Sequence, residues 1–318
     1  MKSKLTLCLL IVLTYNSYAQ NTSGKSDDAA RIKLAAYVPK QIEDMPEAAR
    51  SSLANKLSQI VTQNGLGGKS SNERFIITAN INIISKELTP TAPPLQAYVL
   101  DVTLYIGDGI DGSKFSSIST EVKGIGESET KAYISALKNI KTTDPKYQTF
   151  IETGKNKIIE YYNSKCDFII SEAKSLAKQT KYEEGIFKLT GVPEVCKDCY
   201  SKCMNEIAII YQEKIDRDAL KIMIEANALW AAGQDIETAQ KVVAILAKIE
   251  PSSSSIEFAE KLAMRIAQRV KEIDNREWKY TVKAQQQESE RIEAERAIGV
   301  AFGQNQPQTI EYNIIGWW

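Results

Sequence analysis

The 318-residue chain contains no histidine. Histidine is the commonest general base in enzymes, and it completes both the Ser-His-Asp and the Cys-His catalytic sets. Its absence also removes the usual histidine-containing zinc sites. Paired carboxylates, lysine or tyrosine can still catalyse reactions, but we find no local motif that arranges them. The sequence therefore predicts a non-catalytic protein without a cofactor.

Long hydrophobic runs are also scarce, and the clearest one lies at the beginning of the chain. Lys2 and Lys4 precede an apolar run from Leu5 to Leu13. This layout is typical of a secretory signal peptide, with cleavage expected after Ala19. The run is too short to span a bilayer, which takes about 20 apolar residues. We therefore predict a signal peptide over residues 1–19 and no transmembrane span after its removal.

The chain has no excess of charge of either sign, with 40 basic and 40 acidic residues. A nucleic-acid-binding protein needs a basic surface, so this balance argues against DNA or RNA as a partner. The hydrophobic fraction of 43% and the charged fraction of 25% are ordinary for a globular protein. Without the signal peptide, about 300 residues remain, which is enough for roughly two domains.

The first half of the exported chain predicts an α+β domain over residues 29–145, after a polar, disordered leader over 20–28. Apolar residues alternate with their neighbours in several segments, which is the period of a strand with one buried face. Helical spacing of apolar residues separates them. The predicted order is strand (31–38), helix (from 46), three strands (75–83, 98–106 and 115–123) and a helix that starts near Ser128. Three consecutive strands with short connections imply a small antiparallel sheet with helices on one face.

This part of the chain resembles the small α+β domains of outer-membrane lipoproteins and of curli and flagellar assembly factors. The resemblance lies in the segment Leu104–Asp108, in the segment Gly124–Ser128, and in Ala132 and Ala136 after it. It implies a binding or scaffolding module of the cell envelope. The Ala19-Gln20 junction also resembles the signal-peptide ends of exported proteins of Bacteroidetes.

From residue 146 the sequence reads as helical, and we predict an all-α domain over 146–303. The segments around Tyr182 and Trp230, each closed by a proline, Pro193 and Pro251, resemble tetratricopeptide repeats. The resemblance implies stacked helix pairs with a concave surface that binds peptides or partner helices. An irregular tail over 304–318 completes the predicted organisation.

Four cysteines lie after the predicted signal peptide, because Cys8 lies inside the signal. An even number of cysteines in an exported protein favours disulfide bonds, with candidates Cys166, Cys196, Cys199 and Cys203. Sequence alone does not choose among the three pairings. Cys199 and Cys203 are one helical turn apart, so both can face Cys166 on a neighbouring helix. A metal site and a redox-active pair are the alternatives.

A glycine-rich segment with two aspartates, Gly107–Gly112, follows the strand that ends near Ile106. The segment predicts a hairpin turn. Calcium binding is an alternative, but the later glutamate of the full calcium loop is missing.

Four aromatic residues are candidates for partner binding: Tyr182, Trp230, Trp317 and Trp318. The terminal tryptophan pair can anchor at a membrane interface or bind in a partner's groove. Each of the four can instead pack inside its own domain.

These observations predict an exported, non-catalytic protein that binds or scaffolds other envelope proteins or peptides through a helical-repeat surface. The expected location is the periplasm or the periplasmic face of the outer membrane. Peripheral association with a membrane or with the cell wall is a further expectation. The alternatives are a peptidoglycan- or polysaccharide-binding accessory protein and a periplasmic thiol-active enzyme.

Overall fold

The computed structural model describes residues 32–40, 42, 45–67, 73–274 and 311–318. The predicted signal peptide and leader lie outside these residues, as do the last part of the predicted helical domain and the start of the predicted tail. The described residues form four strands and seven helices: β1 (Ala35–Ala36), α1 (Glu47–Gln63), β2 (Phe75–Leu88), β3 (Gln96–Asp108), β4 (Ser113–Gly126), α2 (Glu129–Lys138), α3 (Pro145–Lys178), α4 (Tyr182–Thr190), α5 (Lys197–Ala232), α6 (Ile236–Leu246) and α7 (Ile256–Asp274).

The four strands form one sheet in the order β1-β2-β3-β4. β2, β3 and β4 pair antiparallel, which confirms the predicted meander, whereas the short β1 pairs parallel with β2. Alternate residues of β2, such as Ile77 and Ala79, enter the main core, and Ile76 faces the opposite side of the sheet. The period of two in the sequence therefore corresponds to two different faces.

The helices α1, α2 and α3 pack on one face of this sheet. Ser128 caps α2, since its hydroxyl accepts a hydrogen bond from the backbone N–H of Lys131 at 3.3 Å. Gly124 of β4 allows α2 to approach closely, because a Cβ at this position would overlap the backbone of Ala132 and Ala136. The cap explains why α2 starts after Ser128, and the missing side chain at Gly124 explains why α2 lies so close to β4.

The second half of the described chain is helical, as predicted, and the fold as a whole is α+β. Two long helices, α3 with 34 residues and α5 with 36, alternate with the much shorter α4 and α6. A tetratricopeptide unit places two helices within about 34 residues, which is the length of α3 alone. The structure does not confirm tetratricopeptide repeats. No helix among the described residues is long and apolar enough to cross a membrane.

The buried residues form two main cores. The first core contains the inner face of the sheet and continues through α1–α4 to Ile210 of α5. The second core begins at Ala219 of α5 and includes α6 and α7. The first core therefore passes residue 145 without a break, and the predicted domain boundary there stays a prediction. Because α5 contributes to both cores, it connects them as one continuous helix.

Candidate functional site

The cysteine cluster joins α3 to the first turn of α5. Cys166 of α3 and Cys199 of α5 form a disulfide bond, with 5.6 Å between their Cα atoms. Cys203 lies one turn further along α5, and its sulfur lies within 4.8 Å of the sulfurs of Cys166 and Cys199. Both cysteines of this turn therefore face Cys166, as their spacing predicts, and the structure pairs Cys166 with Cys199.

Cys196 and Cys203 are buried thiols in this structure. Burial raises the pKa of each thiol to about 11. The reactive form of cysteine is the thiolate, so both residues are poor nucleophiles at neutral pH. Of the four disulfide candidates, the structure pairs Cys166 with Cys199, whereas Cys196 and Cys203 are not paired with each other.

The glycine-rich segment between β3 and β4 is a turn, and a buried charge cluster lies beneath it. Arg74 pairs with Asp108 at 2.5 Å and also with Asp111. Tyr162 of α3 donates a hydrogen bond from its hydroxyl to Asp108 at 2.8 Å. The two aspartates that suggested calcium binding therefore face the guanidinium group of Arg74.

The electrostatics of this cluster favour a charged Arg74 and a neutral Tyr162. Burial opposes the charge on Arg74, but the carboxylates of Asp108 and Asp111 outweigh it and raise the pKa of Arg74 above its ordinary value. Burial also raises the pKa of Tyr162 well above that of an exposed tyrosine. Arg74 therefore stays charged and Tyr162 stays neutral over the physiological pH range, which fits a structural role beneath the turn.

The tail segment, which we define as Glu311–Trp318, packs against the opposite face of the sheet at this turn. Ile314 and Trp317 are buried in a small third core with Ile76 and Tyr105. The indole N–H of Trp317 donates a hydrogen bond to the carbonyl of Gly112 at 2.8 Å. The described part of the predicted irregular tail is therefore an ordered, docked segment.

The four aromatic candidates for partner binding differ in exposure. Tyr182 and Trp230 are buried, the first in the main core and the second in the core of α5–α7. Trp317 is buried between the tail segment and the sheet, whereas Trp318 is 45% exposed. The ring centroids of Trp318 and Tyr105 are 6.0 Å apart. The structure therefore does not bring the four together, and partner binding by these residues stays a prediction.

A groove of about 630 Å³ lies between α5 and α7. Its lining combines apolar and basic side chains: Met223, Asn227, Phe258, Lys261, Met264 and Arg265. Leu220 and Ile224 share the face of α5 that carries Asn227, because they lie seven and three residues before it, and both are exposed. We call the groove, together with the exposed Leu220 and Ile224 on this face of α5, the α5–α7 surface.

The apolar pattern of the sequence does not predict the α5–α7 surface. Phe258, Leu262, Ile266 and Val270 predict one apolar stripe, yet Phe258 is 61% exposed while the other three are buried. Each step of four residues turns a helix about 40° beyond a full circle, so a stripe of such steps drifts around the helix. The exposed Phe258 therefore marks the edge of the buried face.

The comparisons with known proteins give little further information. Neither a family model nor a curated protein matches this chain. Among solved structures, the chain is similar to a minor lipoprotein from Acinetobacter baumannii, with 18% identity and a TM-score of 0.26. The match covers 40% of this chain and 94% of that chain. A similarity at this TM-score supports no conclusion about function or location.

Proposed function

We propose that this chain is an exported, non-catalytic protein of the cell envelope that binds a partner protein at the α5–α7 surface. The observation that carries the proposal is the exposure of large apolar side chains on two adjacent helices around one groove. Single exposed apolar residues are common, but a contiguous patch of them is typical of an interaction site. Export and the envelope location rest on the sequence of residues 1–19.

The chemistry of the groove fits an amphipathic helix with an acidic flank. Met223, Phe258 and Met264 offer adaptable apolar contacts, and methionine side chains accommodate varied apolar partners. Lys261 and Arg265 lie at the same groove, where they can pair with carboxylates of the partner. A helix that places apolar residues at positions i, i+3, i+4 and i+7 would contact this surface along its length.

The proposal keeps the predicted binding surface in the helical half of the chain, since α5 and α7 both belong to that half. The two alternatives receive less support from the structure. A polysaccharide-binding role depends on several exposed aromatic rings, and the rings of Trp230 and Trp317 are buried while Trp318 is 45% exposed. A thiol-active enzyme depends on an accessible thiolate, and burial disfavours the thiolates of Cys196 and Cys203.

Photo-crosslinking in the producing cell tests the proposal with a matched pair of positions. A photoreactive phenylalanine analogue replaces Phe258 in one variant and Phe168 of α3 in the other, because these residues are 61% and 60% exposed. We expect a discrete protein adduct from position 258 and none from position 168. Equal adducts at both positions, or no adduct at 258 in a correctly exported protein, would contradict the proposal.

A further inference from the structure

The tail segment contacts the sheet as a bound peptide contacts a receptor. Its hydrogen bonds go to residues more than 200 positions earlier in the chain. Tyr312 donates to the carbonyl of Glu73 at 3.1 Å, and Lys114 donates to the carbonyl of Trp317 at 2.7 Å. The backbone N–H of Asn313 donates to the carbonyl of Gly109 at 2.5 Å. Side-chain burial and main-chain bonding thus act together, as in peptide recognition.

Three glycines of the β3–β4 turn are complementary in shape to the tail segment. A Cβ at Gly107 would overlap the ring of Trp317, and a Cβ at Gly109 would overlap the ring of Tyr312. A Cβ at Gly112 would lie 2.9 Å from the side-chain amide of Asn313. The absence of side chains at these positions therefore creates the space that the tail segment fills.

The turn keeps its shape through bonds that do not involve the tail segment. Asp108 accepts hydrogen bonds from the backbone N–H groups of Ile110 and Asp111, at 2.9 and 3.0 Å. The N–H of Gly109 donates to the carbonyl of Arg74 at 2.9 Å. A receptor surface that is fixed before its ligand arrives loses little conformational freedom on binding.

We propose that the β3–β4 turn, with Ile76 and Tyr105 beside it, is a peptide-binding site for the sequence of the tail segment. In the single chain its own tail segment occupies the site, and the same sequence binds there when it is supplied in trans, for example by a second copy of this chain. This site is separate from the α5–α7 surface, and neither proposal depends on the other.

A labelled peptide with the sequence of residues 311–318 tests this site in the full-length protein. Trp317→Ala in the protein removes the main buried side chain of the competing tail, which weakens its docking by roughly 100-fold or more. We expect saturable binding of the peptide to this variant by fluorescence anisotropy. The wild-type protein should bind at least about tenfold more weakly, because a tethered ligand has an effective concentration on the order of millimolar.

Two adjacent isoleucines provide a matched control in the peptide. Ile314 is 2% exposed and Ile315 is 90% exposed in the docked tail segment. An alanine at the first position should lower the affinity of the peptide at least about tenfold, since it removes a buried side chain, and an alanine at the second should not. Equal affinities of the two altered peptides would overturn the proposal.

A change in the receptor completes the test. Gly109→Ala, added to the Trp317→Ala protein, should abolish peptide binding, because its Cβ would overlap the position of the Tyr312 ring of the bound peptide. Circular dichroism checks that each variant is folded, and Ile314→Ala in the protein is a second way to weaken the competing tail. The proposal would be overturned if the folded Trp317→Ala and Ile314→Ala proteins did not bind the peptide. It would also be overturned if binding survived Gly109→Ala.

Discussion

At the scale of single residues, the carboxylate of Asp108 receives hydrogen bonds from four groups. These are the guanidinium of Arg74, the hydroxyl of Tyr162 and the backbone N–H groups of Ile110 and Asp111. The residue before β2, the end of β3, the turn and α3 therefore meet at one fully buried acid. Removal of Asp108 leaves the buried charge of Arg74 less completely compensated, which is costlier than the loss of a surface ion pair.

We expect Asp108→Ala to lower the free energy of unfolding by about 3–5 kcal/mol, because Arg74 is left buried without its main carboxylate partner. Urea denaturation followed by circular dichroism measures the change. Asp101→Ala is the control, since Asp101 lies half-buried on the same strand and a surface substitution costs within about 0.5 kcal/mol. Similar losses in the two variants would show that the charge cluster contributes nothing special.

Residue-level predictions from the sequence succeed where chemistry is local. The cap at Ser128 and the shared face of Cys199 and Cys203 follow from spacing along a helix, and both are present. The pairing of Arg74 with Asp108 does not follow, since it joins residues 34 positions apart across two strands. The register of β2 on β3 brings Arg74 close to Asp108, and no sequence pattern predicts that register.

At the scale of elements, the Cys166–Cys199 bond holds α3 against the start of α5. The two residues are 33 positions apart, and α4 lies within the loop that the bond closes. A cross-link of this span restricts the unfolded chain and stabilises the folded one by roughly 3–4 kcal/mol in the chain-entropy model. The short α4 therefore sits between two long helices that cannot separate at this end.

Thiol counting checks this pairing in protein that lacks residues 1–19. Alkylation under denaturing conditions without reductant should label two cysteines, Cys196 and Cys203, and four after reduction. The double variant Cys166→Ala/Cys199→Ala should unfold with about 3–4 kcal/mol less free energy than the wild type. No labels, or four, before reduction would contradict the pairing that the structure shows.

The sequence predicts the elements better than their lengths. Alternation places β2, β3 and β4 correctly, because each strand buries one face. The predicted first strand over 31–38 is only the two-residue β1 in the structure, since pairing with β2 is limited to Ala35 and Ala36. The repeat-like pattern around Tyr182 coincides with a helix, α4. The pattern does not predict that the neighbouring helices α3 and α5 extend to 34 and 36 residues.

At the scale of the whole molecule, the two main cores differ in size. The first contains a sheet and parts of five helices, whereas the second contains only the end of α5 with α6 and α7. Between the two cores, α5 is hydrogen-bonded to the loop that precedes α7. The side-chain amide of Gln212 donates to the carbonyl of Ser252, and the carboxylate of Asp216 accepts from the backbone N–H of Ser254. A smaller core buries less apolar area and opens at a lower free energy than a larger one.

Hydrogen exchange at increasing denaturant concentration tests this difference. We expect the amides of α6 and α7 to lose protection at lower urea concentration than those of β2 and β3, because the second core can open while the first remains folded. Mass spectrometry of peptides from the two regions measures both in one sample. Loss of protection in a single step for all four elements would show instead that the chain unfolds as one unit.

The global arrangement is the part that sequence reasoning could not supply. The docking of Trp317 on Gly107 brings together residues that lie more than 200 positions apart in the chain. The sequence predicts a turn at the glycines, and it places the tryptophans in an irregular tail. Their complementarity depends on the path of the intervening chain, which periodicity and spacing do not encode.

The continuity of α5 has a mechanical consequence. A helix of 36 residues is about 54 Å long, because each residue adds 1.5 Å. One end carries Cys199, which is covalently fixed to α3, and the other carries residues of the α5–α7 surface. A force applied at the α6 end of α5 would therefore act along one continuous helix to the disulfide bond with α3.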